Sequence, residues 1–168
     1  MYQQGELVLY GIHGVCRILG LESMRFGKAR AKYYVLEPLS QPGTRVYIPA
    51  ENESAVGKLR PLMTPEALLE LLHGEEVRNF PWIADESQRK LRFREIIGSG
   101  DRVQLIGMIG ALHRHKQEQT AAGRKFHQSD ETFLSDAQKL LNAEFSHVLG
   151  IAPNQVADFI LRELQNSH

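Results

Sequence analysis

The sequence predicts an α+β chain of two domains, a small β-barrel of about five short strands followed by an all-α helical domain. Three observations carry that prediction. Up to residue 62 the apolar runs are short, rich in branched and aromatic residues, and separated by turns containing Gly or Pro. Thr64-Pro65-Glu66 then sets a good N-cap and a first-turn proline in front of Leu68, Leu69, Leu71 and Leu72. From Phe80 onward, apolar residues recur at three- and four-residue spacing.

Leu7 to Tyr10 and Val15 to Leu19 are β-prone runs joined by a turn in which Gly11 and Gly14 can adopt the positive φ that a tight reversal needs. Arg25-Phe26-Gly27-Lys28 reads as a turn and Lys32-Tyr33-Tyr34-Val35-Leu36 as a strand. Pro42-Gly43 has the residues of a type II turn, with the next strand at Thr44 to Ile48. A fifth strand near Lys58 to Leu62, with no helix between strands, would complete a module that leaves few unpaired sheet edges. Residues 1–62 are thus the first domain. Residues 63–79 read as a bridging helix, stopped at Gly74, and a polar linker; residues 80–168 form the second domain.

In the first helix of that domain, Phe93, Ile96 and Ile97 share a face, and Gly98-Ser99-Gly100 breaks it. Asp101 can cap the next, where Val103, Leu105, Ile106, Met108, Ile109 and Leu112 surround most of the axis and predict a central helix. Gly107, Gly110 and Ala111 would admit a close neighbour. Ser129-Asp130-Glu131 starts a helix with a stripe of Leu134, Ala137, Leu141, Phe145 and Val148. A last amphipathic helix after Pro153 turns Val156, Phe159, Ile160 and Leu164 inward.

Composition narrows the function classes. With 168 residues and 42% hydrophobic content the chain can pack a core. No apolar run approaches the roughly 20 residues that span a bilayer, and the N-terminus lacks a signal-peptide pattern, so a cytoplasmic protein is expected. Cys16 is the only cysteine. That excludes an intrachain disulfide and a thiolate zinc cluster, and Cys16 is expected inside the barrel. The zero net charge hides an uneven distribution: −1 over residues 1–77, +5 over 78–127 and −4 over 128–168. A basic middle suits a polyanion, although solvated helix faces that balance one another would produce the same pattern.

No catalytic constellation emerges. The segment Gly20 to Lys28 is spaced too widely for a P-loop, and Ala29 stands where Ser or Thr is needed. His113 and His115 are two steps apart on a helix and point about 200° away from each other, so they are not paired metal ligands. His13 lies in a turn, and Glu51, Glu53, Glu75 and Glu76 fall near turns without a histidine or pocket beside them. The expectation is a non-enzymatic protein without metal or cofactor.

Two blocks, Gly5-Glu6-Leu7-Val8-Leu9-Tyr10-Gly11-Ile12-His13-Gly14-Val15-Cys16-Arg17-Ile18 and, about thirty residues later, Arg45-Val46-Tyr47-Ile48-Pro49-Ala50-Glu51-Asn52, together resemble the CarD/CdnL/TRCF family. The resemblance implies that the first domain is a Tudor-like barrel that binds the RNA polymerase β subunit. It makes Arg25, Lys28, Arg45, Val46, Tyr47, Ile48 and Pro49 the contact candidates. It also implies a helical domain laid on promoter DNA at the upstream edge of the melted bubble, where a tryptophan wedges into the minor groove and slows bubble collapse. Trp82, the only tryptophan, stands in the corresponding place. Its other reading is a core anchor at a helix start.

Around Trp82, candidate phosphate contacts are Arg89, Lys90, Arg92, Arg94, Arg114, Lys116 and Lys125. The chain departs from the family pattern at Asp85-Glu86 and Asp130-Glu131, where relatives often carry basic residues, and at Tyr47, which is often basic. The expected function is modulation of open-complex stability by a monomer that binds polymerase and touches DNA without reading sequence. The alternative is a polymerase-bound adaptor whose helices recruit another protein. A stand-alone DNA reader is disfavoured because no segment has the base-reading side chains of a recognition helix.

Overall fold

The computed structural model describes residues 2–166. It divides into two compact units, one ending at Met63 and the other starting at Thr64. In the first, β1 (Leu7–Leu9) and β2 (Val15–Phe26) flank a 3-10 turn at Gly11–His13. Gly11 and Gly14 have φ of 47° and 66°, conformations that a side chain would oppose. Strand β3 (Ala29–Pro38) makes a long hairpin with β2, and β4 (Val46–Pro49) follows the Pro42-Gly43 turn. That turn is type II: Gly43 has φ 92°, and the Thr44 N–H donates to the Gln41 carbonyl at 3.1 Å.

The sheet order is β4-β3-β2-β1-β5, with β5 at Arg60–Pro61 and all pairs antiparallel. It is open: of the closed or half-closed barrel expected, closure is not seen, because β4 and β5 are not neighbours. The cause lies in the two edges. Both are short and both end in proline, Pro49 and Pro61, which has no N–H to give to a ladder. Between them the chain forms a helix, α1 (Glu53–Val56), where none was expected, capped by the Asn52 side chain accepting from the Ala55 N–H. One face of the sheet still closes a core of Val8, Cys16, Ile18, Tyr34, Leu36, Ile48 and Leu59. Burial there pushes the Cys16 thiol up to about 11, so it stays protonated and inert at neutral pH.

The second unit is helical: α2 (Pro65–Leu72), α3 (Glu75–Arg78), α4 (Glu86–Ser99), α5 (Arg102–Ala121), α6 (Gln128–Leu149) and α7 (Val156–Asn166). Thr64, Asp85 and Asp101 cap α2, α4 and α5 through side-chain oxygens that accept from backbone N–H groups. The segment expected to bridge and link the domains packs into this unit: Leu68, Leu72 and Val77 are buried in its core. Helix α5 is central, with every residue from Leu105 to Leu112 buried. Helix α6 buries Leu134, Ala137, Leu141 and Phe145 against it, and α7 adds Val156 and Ile160. Two ion pairs with buried carboxylates lie among these helices, Arg89 with Asp130 and the partly exposed Arg102 with Glu144.

Two glycines on neighbouring helices make opposite predictions. At Gly107 an added Cβ would lie 2.6 Å from Phe80 Cδ2, so the ring would have to move. Gly107→Ala should cost about 1–3 kcal/mol by overpacking. At Gly98, in the last turn of α4, a Cβ meets nothing within 4 Å. Gly98→Ala should stabilise by about 0.5–1 kcal/mol. Denaturant midpoints of the two variants, measured side by side, check both signs.

Candidate functional site

Each unit presents one candidate surface. In the first, β4 pairs only with β3, so its outer rim is a sheet edge. Alternation divides the predicted contact residues. Val46 and Ile48 pair with Leu36 and Tyr34 on the core face, and Ile48 is 2% exposed. Tyr47 and Pro49 pair with Val35 and Tyr33 on the opposite face, where Tyr47 is 40% exposed. Of these strand residues, Tyr47 and Pro49 thus stand on the face away from the core, while Ile48 belongs to the core.

That outer face carries an aromatic cluster. Phe26 pairs with Ala29 and Tyr47 with Val35, six positions further along β3, which is roughly 20 Å in a flat strand. Yet their ring centroids are 6.5 Å apart, and Phe26 meets Tyr33 edge-on at 5.2 Å. The β2–β3 hairpin must curl back over its own sheet, coiling in which the irregularity between Ile18 and Gly20 shares. The basic candidates of this unit are exposed. Arg25 donates to the Gly27 carbonyl at 3.1 Å, Lys28 sits exposed on the turn, and Arg45 bonds Glu37 at 2.8 Å. The Gly43 N–H and Arg45 hold the Glu37 carboxyl below its ordinary range, so the pair stays charged at neutral pH.

In the helical unit, Trp82 is half-buried in an irregular segment between α3 and α4. Its indole stacks on the His115 ring at 4.0 Å with 19° between planes, and meets Phe93 edge-on at 6.4 Å. The Arg89 guanidinium lies 4.8 Å from the indole centroid. His115 thus serves the tryptophan, while His113 lines a separate cavity with Val77, Arg78, Gly110 and Leu164. Burial, then Lys116, depresses His113 below its usual range, leaving it neutral at pH 7.

The basic candidates divide by availability. Arg89 is 4% exposed and bound to Asp130, so it cannot reach a phosphate. Lys90 pairs with Glu86 at 3.2 Å, Lys116 with Glu131 at 2.9 Å, and Arg92 with Glu95 at 3.5 Å and Gln104 at 2.9 Å. Arg114 is exposed, with one long hydrogen bond to the Arg78 carbonyl. Arg94 and Lys125 are exposed and pair with no carboxylate among the described residues. Surface pairs of this kind contribute about 0–1 kcal/mol, so a phosphate can displace them.

With this geometry, residues 2–63 match the CarD-like/TRCF RID domain family. The N-terminal unit is a CarD-like/TRCF RID domain. The whole chain is similar to the candidate transcription factor YdeB of Bacillus subtilis (strain 168), at 26% identity over 163 residues covering 95% of this chain and 99% of that protein. Both similarities support a role in transcription for the chain. No helix among its described residues is long and apolar enough to cross a membrane.

Sequence reasoning missed two parts of these surfaces. Phe26 and Tyr33 in the RID domain read as turn and strand residues, because nothing local reports that the hairpin curls. In the helical unit, His115, which stacks on Trp82, and Asp130, which holds Arg89 beneath it, lie far along the chain from the tryptophan. His115 and Asp130 are polar residues on helices, where a solvated surface is the ordinary expectation.

Proposed function

We propose that this chain is a non-enzymatic, cytoplasmic transcription regulator whose RID domain binds the RNA polymerase β subunit while its helical unit modulates promoter open-complex stability. The observation that carries the reading is the match of residues 2–63 to the RID family on a sheet whose edge strand β4 is flanked by the exposed cluster of Phe26, Tyr33 and Tyr47. An open edge supports strand addition, with main-chain bonds for affinity and side-chain pockets for specificity. Tyr47 and Phe26 would add apolar contact where relatives often offer a basic side chain, and Arg25, Lys28 and Arg45 charged contacts.

The proposed DNA contact is made by Trp82 and by Lys90, Arg92, Arg94, Arg114, Lys116 and Lys125, with Arg89 acting from beneath. These side chains offer charge without a base-reading pattern, so binding by the free monomer should be weak, salt-sensitive and indifferent to sequence. Exchanging Lys90 and Arg94 for glutamate should lower promoter occupancy in the polymerase complex and flatten its log-log salt slope by roughly 2. An unchanged slope would favour the second reading, a polymerase-bound adaptor. That reading draws on Leu91, which is 58% exposed beside these residues on α4.

A further inference from the structure

Trp82 has no secondary structure to hold it. The segment from Phe80 to Ala84 is irregular, and its carbonyls need partners that no ladder supplies. Arg89 supplies them. Its Nη1 donates to the carbonyls of Ile83 and Ala84 at 3.1 and 3.3 Å, while Nε and Nη2 donate to the two Asp130 oxygens at 3.1 Å each. Asp130, in the first turn of α6, is fully buried. One guanidinium thus ties together the loop that follows Trp82, the first turn of α4 and the first turn of α6. It also lies against the indole that His115 stacks on from α5.

A buried ion pair is a costly way to hold helices together, since apolar side chains of similar volume often stabilise a core as well or better. What an apolar pair cannot do is bond two loop carbonyls and face an aromatic ring. We propose that Arg89 and Asp130 are positioning residues, a clamp that fixes the indole of Trp82 in the pose in which it meets DNA. The inference rests on the reading above that Trp82 contacts promoter DNA. Asp130 acts through Arg89 and touches nothing outside the protein. Its presence at a helix start where relatives often carry a basic residue is accounted for by this inward role, not by a lost phosphate contact.

The test compares three full-length proteins with the wild type: Arg89→Met with Asp130→Leu, which removes the clamp without stranding a buried charge; Arg89→Lys, which keeps the charge but not the fork of hydrogen bonds; and Trp82→Ala. Because Trp82 is the only tryptophan, its fluorescence reports the pose directly. In the double variant, folded by circular dichroism, acrylamide quenching of Trp82 should rise several-fold. Open-complex lifetime should fall roughly five-fold or more, toward that of Trp82→Ala, with polymerase binding unchanged. Arg89→Lys should move both readouts the same way, and it carries the test if the double variant does not fold. Wild-type quenching and lifetime in either folded clamp variant, beside a shortened lifetime in Trp82→Ala, would overturn the clamp alone. A lifetime that even Trp82→Ala leaves unchanged would overturn the DNA reading and the clamp's role with it.

Discussion

Asp130→Ala is expected to destabilise the helical unit by about 3–5 kcal/mol, the cost of leaving a buried guanidinium without its counter-charge. The carboxylate is fully buried and accepts two bonds from Arg89, which is itself 4% exposed, so no water replaces it easily. The double replacement Arg89→Met with Asp130→Leu should lie close to the wild type, because it removes both charges together. Urea melts followed by circular dichroism measure the difference. Equal midpoints for Asp130→Ala and wild type would show that the pair is solvated and that its geometry carries little energy.

Trp82→Ala is expected to act on both stability and function. A fully buried tryptophan would cost about 3–5 kcal/mol, and this half-buried indole, packed on His115 and Phe93, should cost about 2 kcal/mol. The inner part of the ring packs as a core anchor would, and its solvent-facing part is what the proposed wedge would use. Removing it should also shorten open-complex lifetime by roughly five-fold to a hundred-fold, the worth of one stacked aromatic contact. Polymerase binding should be unaffected. A stable variant with normal decay kinetics would contradict both roles.

These expectations show which interactions a sequence exposes. Helix starts were legible because a cap is a local event: Thr64 and Asp101 each bond a backbone N–H three residues on. The buried stripe of α6 and the central burial of α5 follow from spacing alone. Whether the sheet closes fully was not legible because it depends on whether β4 and β5 meet, a non-local matter in which two prolines and a four-residue helix intervene. The short helix α3 was read as linker because Val77 is its only buried residue.

The candidate sites divide along the same line. The edge strand at residues 46–49 was visible as a β-prone run, while its aromatic companions required knowledge of how the hairpin curls. Arg89 was read as surface charge because nothing in its neighbourhood reveals Asp130, 41 positions away. Composition cannot separate a buried arginine from an exposed one. A pair of opposite charges at two helix starts is the one sequence signal that would have marked this clamp for consideration.

The central claim is that the RID domain docks the chain on RNA polymerase, and calorimetric titration of residues 1–63 into a fragment of the β subunit tests it most directly. That segment holds its own sheet and core, and the whole of the family match. The account predicts saturable binding by the isolated segment, matching that of the full chain and weakened by Tyr47→Ala. No heat of binding from a folded segment, or binding that requires the helical unit, would contradict it.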